Sequence, residues 1–333
     1  MSALEVSLAV EGQEGVSWAQ WHELATAAER LGFAGLYRSD HYLSEVPNSH
    51  REALDAWGAI CGLAAVTSRL RLGTLVSPVT FRHPSVLAKL VLTADQISGG
   101  RVELGIGAGW MREEHEMFGL PFPELRDRLR MLDEQLAIIR RCFTEGPFSY
   151  SGSHYMVREL ESLPRPAARP HPRLIVGGEG GPRSIAIAVA QADEYNTPLP
   201  TDDQISKCRE RLAAACDSVG RDPSSIALSV TTRVVVGRNR DELKAAAARA
   251  ARADGKDDQS PAAYLADLSD CAVTGTVREV IERLHGIAEL GVTRIMLESI
   301  DHSDLAMIEL LGTEILPAVG ANAAVSQWMT RDL

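Results

Sequence analysis

The segment Gly177–Gly181 has the composition of an anion-binding loop, with four glycines in five residues. It follows the apolar run Leu174–Val176, and a helix is predicted to begin at Pro182 or Ser184. Glycines let backbone N–H groups approach a ligand, and a helix N-terminus favours negative charge. We therefore predict that this loop binds a phosphate, with Arg183 as an added cation. The alternative is a tight turn without a ligand.

His41 is a second candidate for chemistry, because it follows the predicted strand Phe33–Arg38 and is preceded by Asp40. Histidine titrates near neutral pH, which suits a proton transfer at the end of a strand. The alternative is a hydrogen-bonded surface histidine. Asp40 would orient a neighbouring group or cap the turn, and the sequence leaves both roles open.

Two further segments carry patterns that chemistry could use. Gly107-Ala108-Gly109 predicts either close packing of the backbone near a ligand or a structural bend. The acidic run Glu113–Glu116 includes His115, but it lacks HExxH and the spacing that places metal ligands on one helix face. We therefore predict no metal. The absence of GxSxG gives no support for a hydrolase.

These residues must be positioned by an alternation of short β-branched runs and amphipathic helices. The predicted strands are Leu4–Val10, Phe33–Arg38, Leu70–Val76, Arg101–Ile106, Leu174–Val176, Asp193–Asn196, Ile226–Val236 and Arg294–Leu297. Eight strands alternating with helices are typical of the α/β class and of a closed (β/α)8 TIM barrel. An open doubly wound sheet uses the same alternation, but no strand is followed by GxGxxG. A barrel places functional residues at the C-terminal ends of its strands.

Two insertions, at about residues 110–172 and 253–272, exceed the short connections of a barrel. The first contains a predicted helix, a hairpin around Tyr150, Gly152 and Tyr155, and a proline-rich run. The second is polar, and we expect it to be mobile. Insertions after barrel strands lie over the mouth, so both are lid candidates. No linker divides the chain, and we predict a single domain over residues 1–333.

Composition limits the partners and the compartment. A formal net charge of −11 argues against nucleic acid, which requires a basic face. The five cysteines are scattered without a CxxC pair, as expected for reduced cytoplasmic thiols. The first residues, MSALEVSLAV, lack a basic region and a long apolar run, so we expect no signal peptide. No stretch approaches the roughly 18 apolar residues of a membrane span. We expect a cytoplasmic protein with a small-molecule substrate and no membrane partner.

Four segments together resemble a known family. They are SDHY at 39–42, RLGTLVSPVTFRHP at 71–84, GGRVELGIGAGWMREEHEMFG at 99–119 and LIVGGEGGPRS at 174–184. They are similar to the luciferase-like superfamily, and more narrowly to its branch that uses the deazaflavin coenzyme F420. The resemblance extends over roughly residues 4–320. The motifs are specific for the superfamily, less specific for the cofactor, and uninformative about the substrate.

The resemblance implies roles for individual residues. His41 would lie beside the reactive ring and handle a proton. A non-prolyl cis peptide between Thr74 and Leu75 would support the ring, although such a bond costs ~3 kcal/mol. Trp110 stands where deazaflavin sugar-phosphate dehydrogenases have a catalytic glutamate, so we expect it to wall the substrate pocket and do not expect glucose-6-phosphate oxidation. Glu114 resembles a common family glutamate that supports the site or caps a helix.

The predicted site residues fall into three groups. The catalytic residue is His41, and the substrate pocket contains Trp110 and Glu114. The cofactor-binding residues are Asp40, Thr74, Leu75, Gly107, Ala108, Gly109, Gly177, Gly178, Glu179, Gly180, Gly181 and Arg183. Some deazaflavin enzymes bind the phosphate with lysines near later strands, and Lys207 or Arg233 are the candidates to replace them here.

The leading functional hypothesis is an F420-dependent oxidoreductase that transfers a hydride between the deazaflavin and a small organic substrate. The alternative is a monooxygenase that uses reduced FMN and oxygen, since the same loop would bind its phosphate. A non-catalytic flavin-binding barrel is a third hypothesis, disfavoured by the retained Asp40 and His41. The family resemblance also implies a homodimer through the second and third helices, where Ala53–Ala65 is apolar.

Overall fold

Eight parallel strands form a closed barrel in the computed structural model, which describes residues 4–47, 49–268 and 270–320. They are β1 (Glu5–Val10), β2 (Gly35–Arg38), β3 (Arg71–Thr74), β4 (Val102–Gly107), β5 (Leu174–Gly177), β6 (Glu194–Pro198), β7 (Ala227–Gly237) and β8 (Arg294–Glu298). Each strand pairs in parallel with the next, and β8 pairs with β1. The predicted (β/α)8 barrel is confirmed. Within the predicted domain, residues 1–3, Asn48, Ser269 and residues 321–333 lie outside the described residues.

The helices that surround the barrel begin and end largely where local sequence signals place them. They are α1 (Trp18–Leu31), α2 (Ala56–Val66), α3 (Pro84–Ser98), α4 (Arg112–Phe118), α5 (Leu125–Thr144), α6 (Pro182–Gln191), α7 (Asp202–Val219), α8 (Arg240–Ala253), α9 (Pro261–Leu268), α10 (Val277–Glu289), α11 (Leu305–Leu310) and α12 (Leu316–Val319). Ser17 caps α1 by accepting from the Gln20 N–H, and Gly32 ends it in the left-handed region at φ 86°. No helix of the described segments is long and apolar enough to cross a membrane.

The main apolar core lies between the strands and the helix ring, where residues such as Val6, Leu72 and Leu92 are fully buried. A buried side chain of this size contributes ~1.5–3 kcal/mol through removal from water. Inside the barrel, a smaller apolar layer contains Tyr37 and Met296. The barrel interior is therefore packed, and ligands have access only at its ends.

The N-terminal end of the barrel contains a buried ionic network, here called the basal ion cluster. Its members are Glu5, Arg71, Glu103, Arg173, Glu194 and Arg294. Arg294 lies at its centre: Nε donates to Glu5 Oε1 at 2.6 Å, Nη2 to Glu103 Oε2 at 3.0 Å, and Nη1 to Glu194. Three arginines thus neutralise three carboxylates.

The charges of this cluster control the ionisation of Glu103. Burial alone would raise the pKa of Glu103, but the charges of Arg294, Arg71 and Arg173 outweigh it and lower the pKa to about 2. The Tyr37 hydroxyl also donates to Glu103 Oε2 at 2.7 Å. Each carboxylate at this end of the barrel has an arginine partner, which fits a role in stability.

Each of the two insertions contains a helix that was not predicted. The first contains the predicted antiparallel hairpin, formed by Phe148–Ser151 and Met156–Leu160, and also α4, which no prediction included as an element. The second was expected to be polar and mobile, without a helix, and the structure shows that a helix is present. It contains α9, whose Tyr264 and Leu268 are buried with α8 in a second apolar cluster. The polar run before α9 is only the turn between two helices with apolar faces.

Candidate active site

His41 and Glu114 form a buried pair at the C-terminal mouth of the barrel. The segment after β2 supplies His41, and α4 supplies Glu114 from the first insertion. The Nδ1 atom of His41 lies 2.9 Å from Glu114 Oε1, while the second carboxylate oxygen accepts from the Tyr42 N–H at 3.1 Å. The two residues are 8% and 1% exposed. Two elements distant in sequence therefore fix the orientation of the imidazole.

The Glu114 carboxylate also changes the ionisation of His41. Burial alone would lower the pKa of His41, but the hydrogen bond and charge of Glu114, with smaller contributions from Glu11 and Glu45, raise it above the ordinary value. In the described residues, no hydrogen bond engages Nε2 of this ring. With Nδ1 held by a carboxylate, Nε2 can exchange a proton with a ligand.

Asp40, predicted to bind the cofactor, lies beneath the site and is fully buried. Its Oδ2 atom accepts from Ser77 Oγ at 2.5 Å and from Arg82 Nη1 at 2.5 Å. Arg82 also donates to the Tyr42 hydroxyl at 3.0 Å and to Asp55. The sequence left open whether Asp40 orients neighbouring groups or caps the turn. Its contacts with Ser77 and Arg82 fit the first role.

The bulge after β3 carries the non-prolyl cis peptide between Leu75 and Val76, so the predicted position between Thr74 and Leu75 is wrong by one residue. The Leu75 N–H still donates to Arg38 O at 2.8 Å, which continues the pairing with β2 and delays the departure of the chain. Val76 then packs against two glycines. A Cβ on Gly107 or Gly177 would lie 2.6 or 2.7 Å from its methyl groups. These glycines are therefore required by close packing of three strands.

The predicted phosphate loop is only partly free to bind a ligand. The Gly178 N–H donates to Asn196 O at 3.0 Å, and the Gly180 N–H donates to the Tyr195 hydroxyl at 2.9 Å. Helix α6 begins after Gly181 without a side-chain cap. Four other backbone N–H groups lie in the loop and the first turn of α6. Within the described part of the chain they have no intramolecular acceptor; they belong to Glu179, Gly181, Arg183 and Ser184. These donors and the exposed Arg183 suit an anion.

The residues proposed to reinforce this loop do not reach it, and another does. Lys207 is exposed and pairs with Asp203, while Arg233 lies between Glu298 and Asp254. Arg211, on α7, instead donates to Gly180 O at 2.8 Å. Arg211 lies four residues beyond Lys207 and three beyond Cys208 on the same helix, but nothing in the sequence identified its contact with the loop.

Trp110 forms part of the mouth beside His41, where it is 60% exposed. The two rings meet edge to face with centroids 5.5 Å apart. Gly109, at φ 78°, turns the chain before Trp110, and Arg128 of α5 donates to the carbonyl oxygens of Ala108 and Gly109. The insertion thus supports the wall that presents Trp110.

Sequence reasoning missed a group of carboxylates at the same mouth. Glu11 follows β1, Glu45 follows β2, and Glu298 is the last residue of β8. Glu298 lies next to Arg233 of β7, with Oε1 and Nε 3.3 Å apart. For Glu11 and Glu298 the position at a strand end was the available signal, whereas Glu45 lies in the loop seven residues beyond β2. Among the described residues, no His, Cys, Asp or Glu group has the arrangement of a metal site.

This architecture is a (β/α)8 barrel with polar side chains at its C-terminal mouth, and comparison with known proteins identifies the family. The chain matches the luciferase-like monooxygenase family over residues 3–294. It belongs to this family and is an oxidoreductase of that class.

Its relatives include enzymes that use either cofactor. It is 27% identical over 317 residues to an F420-dependent glucose-6-phosphate dehydrogenase of Nakamurella multipartita, covering 90% of this chain and 92% of that protein. It is 26% identical over 331 residues to an FMNH2-dependent dimethylsulfone monooxygenase of Pseudomonas putida, covering 89% and 86%. Among solved structures, an F420-dependent secondary alcohol dehydrogenase in complex with an F420-acetone adduct has a TM-score of 0.81 at 19% identity, covering 96% and 99%, which shows the shared fold.

Proposed function

We propose that the protein is an F420-dependent oxidoreductase that transfers a hydride between the deazaflavin and a small organic substrate. The observation that carries this proposal is His41, held through Nδ1 by the buried Glu114 with Nε2 left for a ligand. A hydride transfer to or from a carbonyl or alcohol carbon requires a matching proton transfer at oxygen. The F420-dependent relative of similar length supports the same cofactor.

The residues of the mouth fit such a cofactor. The free N–H groups of Glu179, Gly181, Arg183 and Ser184, at the uncapped start of α6, would hold a phosphate. The bulge at Leu75 and Val76 would lie against a ring. When bound, the deazaflavin supplies the hydride chemistry.

The chain itself supplies the proton and the pocket wall. His41 donates or accepts the proton at Nε2, and Glu114 stabilises the protonated ring, as the raised pKa of His41 requires. Trp110 offers an aromatic edge and no carboxyl group at the mouth. An apolar substrate portion is therefore expected there, and a sugar phosphate is not.

A second candidate function is an FMN-dependent monooxygenase. The dimethylsulfone monooxygenase of similar length favours it, and an uncapped helix start would equally hold the phosphate of FMN. The two functions predict different results. An F420-dependent enzyme should bind F420 more tightly than FMN, whereas an FMN-dependent monooxygenase should bind FMN more tightly and require oxygen for turnover.

Fluorescence titration with F420 and with FMN tests the proposal. We expect micromolar or tighter binding of F420 and weaker binding of oxidised FMN. Tighter FMN binding with oxygen-dependent turnover would establish the second candidate instead.

The loop is tested best at Gly181, since a Cβ at Gly178 would lie 2.7 Å from the Tyr195 hydroxyl, whereas one at Gly181 meets only Ser184 Oγ at 3.7 Å. Gly181→Asp should cap α6 and preserve stability. Its carboxylate should weaken cofactor binding ~tenfold or more, about 1.4 kcal/mol. Gly181→Asn is the neutral control. Equal affinities of the two variants would remove the phosphate from this loop.

A further inference from the structure

A cavity of about 320 Å³ opens at the mouth between the ends of β7, β8 and β1. Its charged lining is unbalanced, with two cations, Arg233 and Lys256, against five carboxylates. Arg233 pairs with Glu298 and Asp254, and Lys256 pairs with Asp254. Glu14 pairs with Arg51 at 2.5 Å. The cations near the cavity therefore pair with Asp254, Glu298 and Glu14, and not with the other two carboxylates.

Glu11 and Glu45 have no cationic partner in the part of the chain that the structure describes. Among the described residues, no Lys, Arg or His nitrogen lies within 4 Å of either carboxylate. The neutral amide of Gln13 serves both, with Nε2 2.7 Å from Glu11 Oε2 and 3.3 Å from Glu45 Oε1. Two carboxylates that share one amide retain most of their capacity to accept hydrogen bonds.

Glu298 faces the same space from the barrel. It is 7% exposed, and Arg233 engages its Oε1 atom only. Its Oε2 atom has no hydrogen-bond partner within the described segments and is not among the atoms sealed from solvent. A carboxylate that is more than nine-tenths buried thus presents to the cavity an oxygen that can accept a hydrogen bond from a ligand.

Ionisation reflects the same shortage of positive charge. Burial raises the pKa of Glu298, and the negative charges of Glu11 and Glu45 raise it further. Arg233 opposes them only in part, so the pKa is about 8. Burial and Glu11 likewise raise the pKa of Glu45 to about 7, against the charge of His41. The facing groups from the other elements are Asp254 and Lys256. Near neutral pH the cavity holds protons that an incoming cation would displace.

The position of the cavity relates it to the site. In a closed barrel of eight strands, β1 lies opposite β5, whose end carries the glycine loop. The cavity is therefore across the mouth from that loop, while Glu11 and Glu45 on its wall are close enough to His41 to raise its pKa. A cofactor that extends from the loop to His41 would end at the edge of the cavity.

We propose that this cavity is a substrate subsite that binds an ammonium group, so the enzyme acts on amine-bearing substrates. That the ligand is a substrate rests on the proposed function, whereas the binding of an ammonium group does not. An –NH3⁺ group offers three donors in three directions, which match acceptors on Glu11, Glu45 and Glu298. A divalent metal is a poorer occupant, since these acids do not converge at metal-ligand distances among the described residues.

Calorimetric titration of the purified protein with n-butylammonium, and with n-butanol as the neutral analogue, tests the proposal without turnover. The ammonium should bind ~tenfold tighter than the alcohol at pH 8, the scale of a desolvated charge pair. Its affinity should fall as pH decreases through 8 and 7, as Glu298 and Glu45 take up protons. Binding at pH 7 should release protons, measured in two buffers of different ionisation enthalpy.

Two variants make the outcome specific. Glu298→Gln should abolish much of the preference for the ammonium and reduce the proton release, with thermal unfolding as the check on folding. Glu314→Gln makes the same change of net charge at an exposed position outside the cavity and should alter neither. Equal binding of ammonium and alcohol, or an unchanged preference in Glu298→Gln, would overturn the proposal. Cofactor titration is independent of this result, so failure of the subsite and failure of the F420 assignment are distinguishable.

Discussion

Glu103 and Glu298 are buried glutamates at opposite ends of one barrel, and their surroundings differ in sign. Three arginines lower the pKa of Glu103 to about 2 after outweighing its burial, whereas burial and the neighbouring Glu11, with a single arginine in opposition, raise the pKa of Glu298 to about 8. In the basal ion cluster, the arginines keep the pKa of Glu103 far below neutral pH. The mouth holds groups that gain and lose protons there. The same fold thus separates the charges that stabilise it from the charges that can react.

The strongest test of this contrast is Arg294→Met in the basal ion cluster. Its loss leaves Glu5, Glu103 and Glu194 with incomplete neutralisation in a buried site, and we expect the free energy of unfolding to fall by ~3–5 kcal/mol. Denaturant unfolding measures it. Arg278→Met is the matched control, because Arg278 is exposed and, among the described residues, forms an ion pair with Glu282 alone. It should change stability by less than ~0.5 kcal/mol. Similar losses in both variants would show that the cluster has no special role.

At the mouth, the largest expected effect is on turnover. His41→Ala should lower kcat by ~10²-fold or more, the usual scale for general acid–base catalysis. Cofactor affinity should change little, because the glycine loop follows a different strand. His41→Asn separates proton transfer from packing: if it keeps most of kcat, His41 only packs against the ring.

Glu114→Gln tests the pair of His41 and Glu114, because the substitution retains a hydrogen-bond partner for His41 but removes the charge. Burial, which lowers the pKa of His41, would then act with little opposition, so the pKa should fall. The limb of the pH–rate profile assigned to His41 should move to lower pH. A stationary limb would assign the proton transfer to another group.

The smallest effect concerns stability at the mouth. The folded-state pKa of Glu298 lies above its unfolded value near 4.5, so this carboxyl group opposes folding progressively as pH rises from about 5 towards 8. Glu298→Gln removes this cost but also weakens the contact with Arg233, so it should stabilise the protein by a net ~1 kcal/mol at pH 8 and have little effect at pH 4. Thermal unfolding across this range measures it. A loss of stability at pH 8 would contradict the contrast between the ends.

Periodicity and local signals were sufficient for most of the fold. Every barrel strand lies within two residues of its predicted limits, because β-branched runs, caps and glycines act locally. Helix α4 was missed because its short acidic sequence lacks an apolar face, and α9 because a polar turn precedes it. The cis peptide lies one residue later than expected, since hydrogen bonding to β2 extends through Leu75.

The candidate site divides in the same way. His41 and the glycine loop are contiguous in sequence and could be recognised there. The hydrogen-bond partners of the two residues after β2 come from other elements. Glu114, which binds His41, is 73 residues away, and Arg82, which binds Asp40, is 42 residues away. Glu298 and Glu11 meet only because the barrel closes. Distances of that kind follow from the three-dimensional path of the chain and are absent from any local pattern.

Helix α5 shows that the first insertion is not an independent module. Arg128 holds the carbonyl oxygens of Ala108 and Gly109, while Gln135 donates to Val79 O at 2.6 Å and to the Tyr155 hydroxyl at 2.7 Å. One helix thus braces the end of β4, the bulge after β3 and the hairpin. Chimeras that exchange residues beyond the hairpin should tolerate foreign loops, whereas transplants that replace α5 must carry Arg128 and Gln135 with them to preserve the reaction chamber.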